Sequence, residues 1–457
     1  MIRDQFSIKF TDFLMEFAMK RFIIDDLIKW KSSKHRKPLI LRGARQVGKT
    51  WILEEFGKEF EGGFVRINFD KNPEYAQFFE TTKDVRRILK NLALATGQKI
   101  TPETLVIFDE IQASTAALNS LKYFCEDAPE YYVASAGSLL GLTLSDGFPV
   151  GKVDFLDMGP LTFSEFLLAC GDENLVEYME TIDSIDKIPD AFANPLSEKL
   201  KMYLAIGGMP EPVRIWSEES DIAEVDRILS AILDSYESDF GKHAPDFDVP
   251  KIRRIWTSLP SQLARENKKF LYSAVKEGAR AREYENALEW LKNASVVGCV
   301  PRITKPGLPM SAYEDLGAFK IYMGDVGLLR RHSNLATSAF SEGNRLFTEF
   351  KGALTENFVF QSLIRRFQTK PYYWSDTAHE VDFIIQKENN ILPIEVKAGT
   401  NVQAASIKKY LNDFSEVTPL AIRFSLKNLS FDGKILNVPL YLADELGKLV
   451  EIAMKTT

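Results

Sequence analysis

The sequence predicts an α/β fold class: a parallel sheet with helices on both faces, then a mainly helical region, then a small second α/β unit. Three observations predict it. Four short apolar runs between residues 38 and 135 alternate with helical stretches, the pattern of a sheet buried on both sides. The first run leads directly into the glycine-spaced segment GARQVGKT (43–50). Beyond Gly159-Pro160 the chain turns mainly helical, with strand-like runs returning at 294–303 and past residue 380.

Bulk properties set the frame. A chain of 457 residues exceeds one ordinary core, so roughly two to four domains are expected. The 57 Lys and Arg against 64 Asp and Glu leave a net charge of −7, which argues against a generic polyanion binder. No apolar run reaches the roughly 18 to 20 residues needed to cross a bilayer, so no membrane partner is expected. Cys125, Cys170 and Cys299 have no metal-type spacing and read as reduced thiols of a cytoplasmic protein.

Phe6, Phe10, Phe13, Leu14 and Phe17 fall at helical spacing, so the first 18 residues read as an amphipathic helix packed on the next domain. Asp4, Lys9, Asp12 and Glu16 interrupt it too often for a signal-peptide core. Met19 would serve equally as an internal start.

PLILR (38–42), FVRINF (64–69), LVIF (105–108) and YYVAS (131–135) read as the sheet strands, with helices at 49–60 and 115–126 between them. GARQVGKT then sits where a phosphate loop must, after a strand and opening a helix. Gly43 and Gly48 let the amides of Ala44, Arg45, Gln46 and Val47 wrap a β-phosphate. The new helix adds its positive end. Lys49 would reach the β- and γ-phosphates, and the Thr50 hydroxyl would ligate Mg²⁺. The run LVIFDE places Asp109 and Glu110 at the C-terminal end of a buried strand. Asp109 would hold Mg²⁺ through water, and Glu110 would orient or deprotonate the attacking water. The expected ligands are therefore ATP and Mg²⁺ on a P-loop NTPase sheet. After the next strand, Ser138 or Ser135 would sense the γ-phosphate, with Ser138 preferred.

RGARQVGKT, LVIFDEIQ, AGSLLG, FPVGKV (148–153), GPLTFSEFL (159–167), YLAIGGMPEPV (203–213) and FKIYMGDVGLL (319–329) together resemble a family of bacterial and archaeal AAA-type ATPases. The resemblance runs over the chain from about Met19. It implies an ATPase joined to a C-terminal domain similar to the PD-(D/E)xK nuclease fold. GGMP (207–210) is similar to a Gly-x-Pro element that lies near the adenine; read alone, it is a helix breaker.

Residues 251–292 hold ten basic and five acidic residues, a local excess inside an acidic chain. Helices at 252–265 and 279–293 with strands at 296–303 suit a winged-helix unit. Such a unit would set Arg280, Arg282 and Lys292 against DNA phosphates; a merely solvated charged face gives the same pattern.

In the last section Glu380-Val381-Asp382 opens one strand and Glu395-Val396-Lys397 ends the next. Residues two apart share a face, so the polar groups gather on one side while Val381, Ile394 and Val396 turn to a core. Asp382 and Glu395 would ligate Mg²⁺, with Lys397 steadying phosphate charge. Under the resemblance Glu356 would be the further acid of a nuclease site. Four acids around one lysine call for a bound cation.

The expected organisation is an N-terminal helical segment (1–35), an AAA-type P-loop ATPase domain (36–200), a helical lid (201–245), a winged-helix-like domain (246–335) and a nuclease-like domain (336–457). Two functions fit it. One is an ATPase coupled to a nuclease-like unit on DNA; the other is a nucleotide-controlled switch docking a protein partner. Oligomeric state stays open, because no arginine finger is identifiable.

Overall fold

The computed structural model of the protein describes residues 19–137, 149, 151–265, 269–337, 348–367, 369–399 and 405–456. The expected N-terminal helix and Ser138 lie outside them.

Helix α1 (Ile23–Ser32) leads into strand β1 (Leu39–Arg42), the phosphate loop and helix α2 (Lys49–Gly57). Strand β2 (Phe64–Asn68), helix α3 (Val85–Thr96), strand β3 (Leu105–Asp109), helix α4 (Thr115–Asp127) and strand β4 (Tyr132–Ala136) follow. All four expected strands form. A fifth, β5 (Asp154–Asp157), closes the edge in the order β2-β3-β4-β1-β5, every pair parallel. The sequence hides β5 because Asp154 and Asp157 bracket only two apolar residues.

Alternation sorts the strand side chains. Leu39, Leu41, Leu105, Ile107, Ala134 and Ala136 pack with Ile52, Leu53 and Phe56 of α2. Ile40, Val65, Ile67, Val106, Phe108 and Val133 pack with α3 and α4 on the opposite face. Burying such side chains contributes about 1.5–3 kcal/mol each. Sheet, helix and loop are thus fixed together by period-two patterning.

The second half begins with α5 (Phe163–Ala169), whose first turn is a capping box between Thr162 and Glu165. Helices α6 (Asp190–Ile206), α7 (Pro210–Glu219), α8 (Ile222–His243), α9 (Val249–Leu263) and α10 (Ala281–Asn293) succeed it. Strands β6 (Val297–Ile303) and β7 (Glu314–Met323) form an antiparallel hairpin, followed by α11 (Val326–His332) and α12 (Thr348–Ser362). The remaining elements are β8 (Tyr372–Ser375), β9 (Glu380–Lys387), β10 (Asn390–Val396), α13 (Ala405–Asp413), β11 (Ala421–Ser425), β12 (Ser430–Phe431), β13 (Ile435–Pro439) and α14 (Leu446–Thr456).

The hairpin after α10 is no free-standing wing. Strand β6 pairs parallel with β8, so β6 and β7 belong to one eight-stranded sheet, β12-β13-β11-β10-β9-β8-β6-β7. The expected boundary at 335/336 therefore falls between strands of a single sheet. The facing of β9 also departs from simple alternation. A register shift between β8 and β9 puts Val381 with Ile384 and Ile391, in a cluster that also takes Tyr410 of α13. Ile394 and Val396 belong instead to the face packed with Leu354 and Phe358 of α12. One extra residue in the ladder accounts for it.

Candidate nucleotide site and C-terminal acidic cluster

The parallel sheet turns the C-terminal ends of β1 and β3 toward one crevice, with β4 between them. Gly43 leaves β1 at φ +148°, and a Cβ there would lie 1.9 Å from the Met158 carbonyl oxygen. Gly48 has φ +93°. Both glycines are steric requirements of this loop.

Lys49, buried in the first turn of α2, donates from Nζ to the carbonyl oxygens of Gly43 and Ala44 at 2.9 and 2.6 Å. Burial pulls its ammonium down to about 8, although Glu110 and Asp109 act in the opposite direction. Among the described residues its hydrogen bonds go to loop carbonyls, which phosphate oxygens could replace. The Thr50 hydroxyl donates to Asp109 Oδ1 at 2.8 Å, so the two expected Mg²⁺-side groups meet.

The other Asp109 oxygen, Oδ2, accepts from Arg66 Nε at 3.0 Å and Nη2 at 2.6 Å, and from Asn68 Nδ2 at 2.8 Å. Arg66 also reaches Glu54 Oε1 on α2 at 2.8 Å. The sequence did carry a signal for this pair: polar residues two apart at the end of an otherwise apolar strand, with Asn68 in register with Asp109.

Glu110 follows β3 with φ +50°, a left-handed conformation uncommon outside glycine. Gln112 Nε2 donates to its Oε2 at 2.5 Å. Strand geometry alone would not aim this carboxylate; the turn does. Ser135, the alternative γ-phosphate sensor, is fully buried inside β4, and alternation turns it from the α2 face that its neighbours Ala134 and Ala136 share.

The loop is fastened on two further sides. Arg21, just before α1, donates to the Val47 carbonyl at 3.0 Å and the Gly159 carbonyl at 2.6 Å, and pairs with Glu165 at 3.2 Å. Arg45 forms an ion pair with Asp239 of α8, and the Tyr236 hydroxyl donates to the Arg45 carbonyl at 3.1 Å. A small cavity beside this contact is lined by Arg45, Asp239, Phe240, Trp290 and Val296, so the loop faces the α10–β6 corner. GGMP also approaches the loop: Pro210 Cγ lies 3.9 Å from where a Gly48 Cβ would be. Its Gly208 amide donates to Asp325 Oδ2 at 2.7 Å. Burial raises the Asp325 pKa despite amide hydrogen bonds from Gly208 and Leu328.

In the middle region Arg253, Arg254, Arg280 and Arg282 are exposed, and Arg253, Arg254, Thr257 and Ser261 line an open groove beside the short helix Tyr272–Val275. Lys292 instead pairs with Glu289 at 2.5 Å, as a solvated helix face would have it.

In the C-terminal sheet the expected residues fall into two groups, each with a further cation: Glu356, Glu380 and Asp382 around Lys320, and Glu395 and Lys397 with Arg423. Lys320 of β7 is fully buried, with Nζ 2.5 Å from Glu380 Oε1 and 3.6 Å from Asp382 Oδ1. The Tyr322 hydroxyl donates to Glu356 Oε2 at 3.1 Å. The Val396 amide donates to Asp382 Oδ2 at 2.8 Å. Glu395 pairs with Lys397 through Oε1 and with Arg423 through Oε2, both at 3.3 Å. Among the described residues, no group of three or more His, Cys, Asp or Glu is placed to hold a metal ion.

Residues 35–167 match a family model described as an AAA domain. Residues 197–339 and 351–442 match two models described as domains of unknown function, DUF8612 and DUF4143. A comparison with curated proteins finds no match. Among solved structures, a Walker-type ATPase of Pyrococcus abyssi is similar at 14% identity and TM-score 0.42, over 69% of this chain and 96% of that one. The RuvB Holliday junction branch migration motor of Thermotoga maritima matches at 12% identity and TM-score 0.28, over 61% and 89%. The Orc1 protein of Aeropyrum pernix in complex with DNA matches at 11% and 0.27, over 69% and 91%. The chain carries an AAA-type P-loop ATPase domain. No described helix is long and apolar enough to cross a membrane.

Proposed function

We propose that the protein is a Mg²⁺-dependent ATP hydrolase whose nucleotide state is transmitted through α8 to the middle helices and the C-terminal sheet. The observation that carries this is the ion pair between Arg45, inside the phosphate loop, and Asp239 on α8. The pair supports the reading because it puts the phosphate loop in direct contact with the helix that borders the middle region.

ATP·Mg²⁺ would supply the phosphoanhydride and the charge-neutralising cation. Gly43 to Gly48 present amides to its phosphates, and Lys49 exchanges two loop carbonyls for phosphate oxygens. Thr50 and Asp109 would hold the cation, with Arg66 and Asn68 fixing the Asp109 carboxylate. Glu110, aimed by its left-handed backbone, orients and deprotonates water. Rearrangement of the loop around phosphate then moves Arg45, and Asp239 with it. The test is phosphate release by the full chain, together with hydrogen exchange in α8, α10 and β6 with and without ATP. Turnover without any change of exchange in those elements removes the transmission.

Of the two roles for the C-terminal sheet, docking of a partner is favoured over cleavage, because Lys320 and Arg423 already engage the carboxylates a nuclease would give to metal. DNA contact rests on a separate observation, the exposed arginines at 253, 254, 280 and 282. ATP turnover measured with and without single- and double-stranded DNA separates these roles.

A further inference from the structure

We infer that Lys320 is the resident cation of the C-terminal acidic cluster. Its ammonium takes the place a divalent metal would need among Glu356, Glu380 and Asp382, and bolts the β6–β7 hairpin onto the strand and helix that carry those acids.

Lysine is almost never fully buried unless paired, and Lys320 has no exposed surface. Burial by itself lowers its pKa. The carboxylates of Glu356, Asp382 and Glu380 outweigh that and raise its pKa above the ordinary lysine value. The ammonium also lies 5.1 Å from the Tyr373 ring centre, a face that favours cations. It is therefore a charged group held at the centre of the acids.

Asp382 and Glu395, the two expected metal ligands, are each engaged at both oxygens. Asp382 faces Lys320 through Oδ1 and the Val396 amide through Oδ2. Glu395 is engaged at both oxygens by Lys397 and Arg423. A divalent ion bound by Asp382 and Glu380 would sit in contact with a buried ammonium, and like charges at that distance repel strongly in a dry interior. The residues thus do not fit a metal while Lys320 is in place. The four acids instead face Lys320, Lys397 and Arg423.

The lysine comes from a different part of the chain than its partners. Lys320 lies within residues 197–339, covered by one domain model, while its acids lie within residues 351–442, covered by another. An ion pair buried across two units holds them in register, since removing one partner strands a charge in the interior.

The test uses the full chain without nucleotide, melted in EDTA and in millimolar Mn²⁺. Wild type is expected to melt at the same temperature in both. Lys320→Ala, which removes the cation and opens space, is expected to melt lower in EDTA and to recover several degrees in Mn²⁺. That recovery is expected to vanish in Lys320→Ala/Asp382→Asn, which separates this cluster from the Thr50–Asp109 site. Calorimetric titration of wild type with Mn²⁺ gives a readout even if Lys320→Ala does not fold. Absence of any Asp382-dependent binding supports the assignment. Asp382-dependent Mn²⁺ binding by wild type, or a folded Lys320→Ala protein that gains nothing from Mn²⁺, overturns it. ATP turnover enters none of these measurements, so the ATPase reading stands or falls separately.

Discussion

Arg45 of the phosphate loop and Asp239 of α8 form an ion pair in which the carboxylate is almost wholly buried. The pair joins residues 194 positions apart and ties the loop to the helix that borders the middle region. Asp239→Ala leaves Arg45 without its partner and is expected to cost about 1–3 kcal/mol of stability. ATP binding persists, because the loop amides and Lys49 are untouched. Hydrogen exchange of α10 and β6 then no longer responds to ATP. A response equal to that of wild type would show that the pair is structural only.

Lys49 and Glu110 separate binding from turnover. Lys49→Ala is expected to abolish nucleotide binding or hydrolysis, since the buried cation facing the phosphates is gone. Glu110→Gln keeps binding and slows phosphate release by about 10²-fold or more. Calorimetry and phosphate release distinguish the two. Full turnover by Glu110→Gln would remove the assigned role.

The depressed Lys49 pKa has a signed consequence. Unfolded, the lysine keeps its proton to the ordinary value of 10.5; native and without nucleotide, it loses it near 8. Below 8 both states are protonated and the native state bears the full penalty of the buried charge. Between 8 and 10.5 the unfolded chain binds the extra proton, so stability rises with pH across that window. Denaturant melts of wild type against Lys49→Gln at pH 7 and pH 10 measure it: the gap moves in wild type's favour at the higher pH. ATP, by supplying anionic oxygens, raises the lysine pKa again, so binding at pH 9 takes up a proton. A gap that stays constant with pH would contradict the depressed value.

The first sheet and its loop were legible because their signals are local. A strand of LVIFD or a loop of GARQVGKT is set by periodicity and by backbone angles only glycine allows. The groups missed at the site act across long sequence separations. Asp239 lies 194 residues from Arg45, and Arg21 lies 138 from Gly159. In the C-terminal sheet, four acids near one lysine in the sequence predict a bound cation. Lys320 supplies it from β7, a strand without a clear period-two signal in the sequence. Val381 lies on the opposite face from Ile394 and Val396, against the alternation, since a bulge has no signature in a run of alternating residues.

Arg66 is a positioning residue whose removal is expected to show in the metal dependence. Its two nitrogens and Asn68 fix Asp109 Oδ2, leaving Oδ1 for Thr50. Arg66→Ala frees that carboxylate to rotate, so the Mg²⁺ concentration for half-maximal turnover rises several-fold. Maximal turnover at saturating Mg²⁺ falls less. A purely structural role would lower the melting temperature and leave the Mg²⁺ dependence unchanged, and restoration by Arg66→Lys would be incomplete, because lysine lacks the forked geometry.

The exposed arginines of the middle region make the DNA reading quantitative. Arg253 and Arg254 project from α9, while Arg280 immediately precedes α10 and Arg282 lies in its first turn. Each phosphate contact made on duplex DNA releases condensed counterions, so the logarithm of affinity falls with the logarithm of salt by about 0.9 per contact. If Arg280 and Arg282 each touch a phosphate, replacing both by Ala lowers that slope by roughly 1.8 and weakens all sequences alike. Arg253→Ala/Arg254→Ala gives a comparable loss if the groove beside Tyr272–Val275 carries the backbone. Lys292→Ala, whose ammonium is already paired with Glu289, leaves the slope unchanged. Fluorescence anisotropy with labelled duplex across a salt series reads all three. Absence of binding by wild type at low salt would leave these arginines as a solvated surface, and the C-terminal sheet as the remaining docking site.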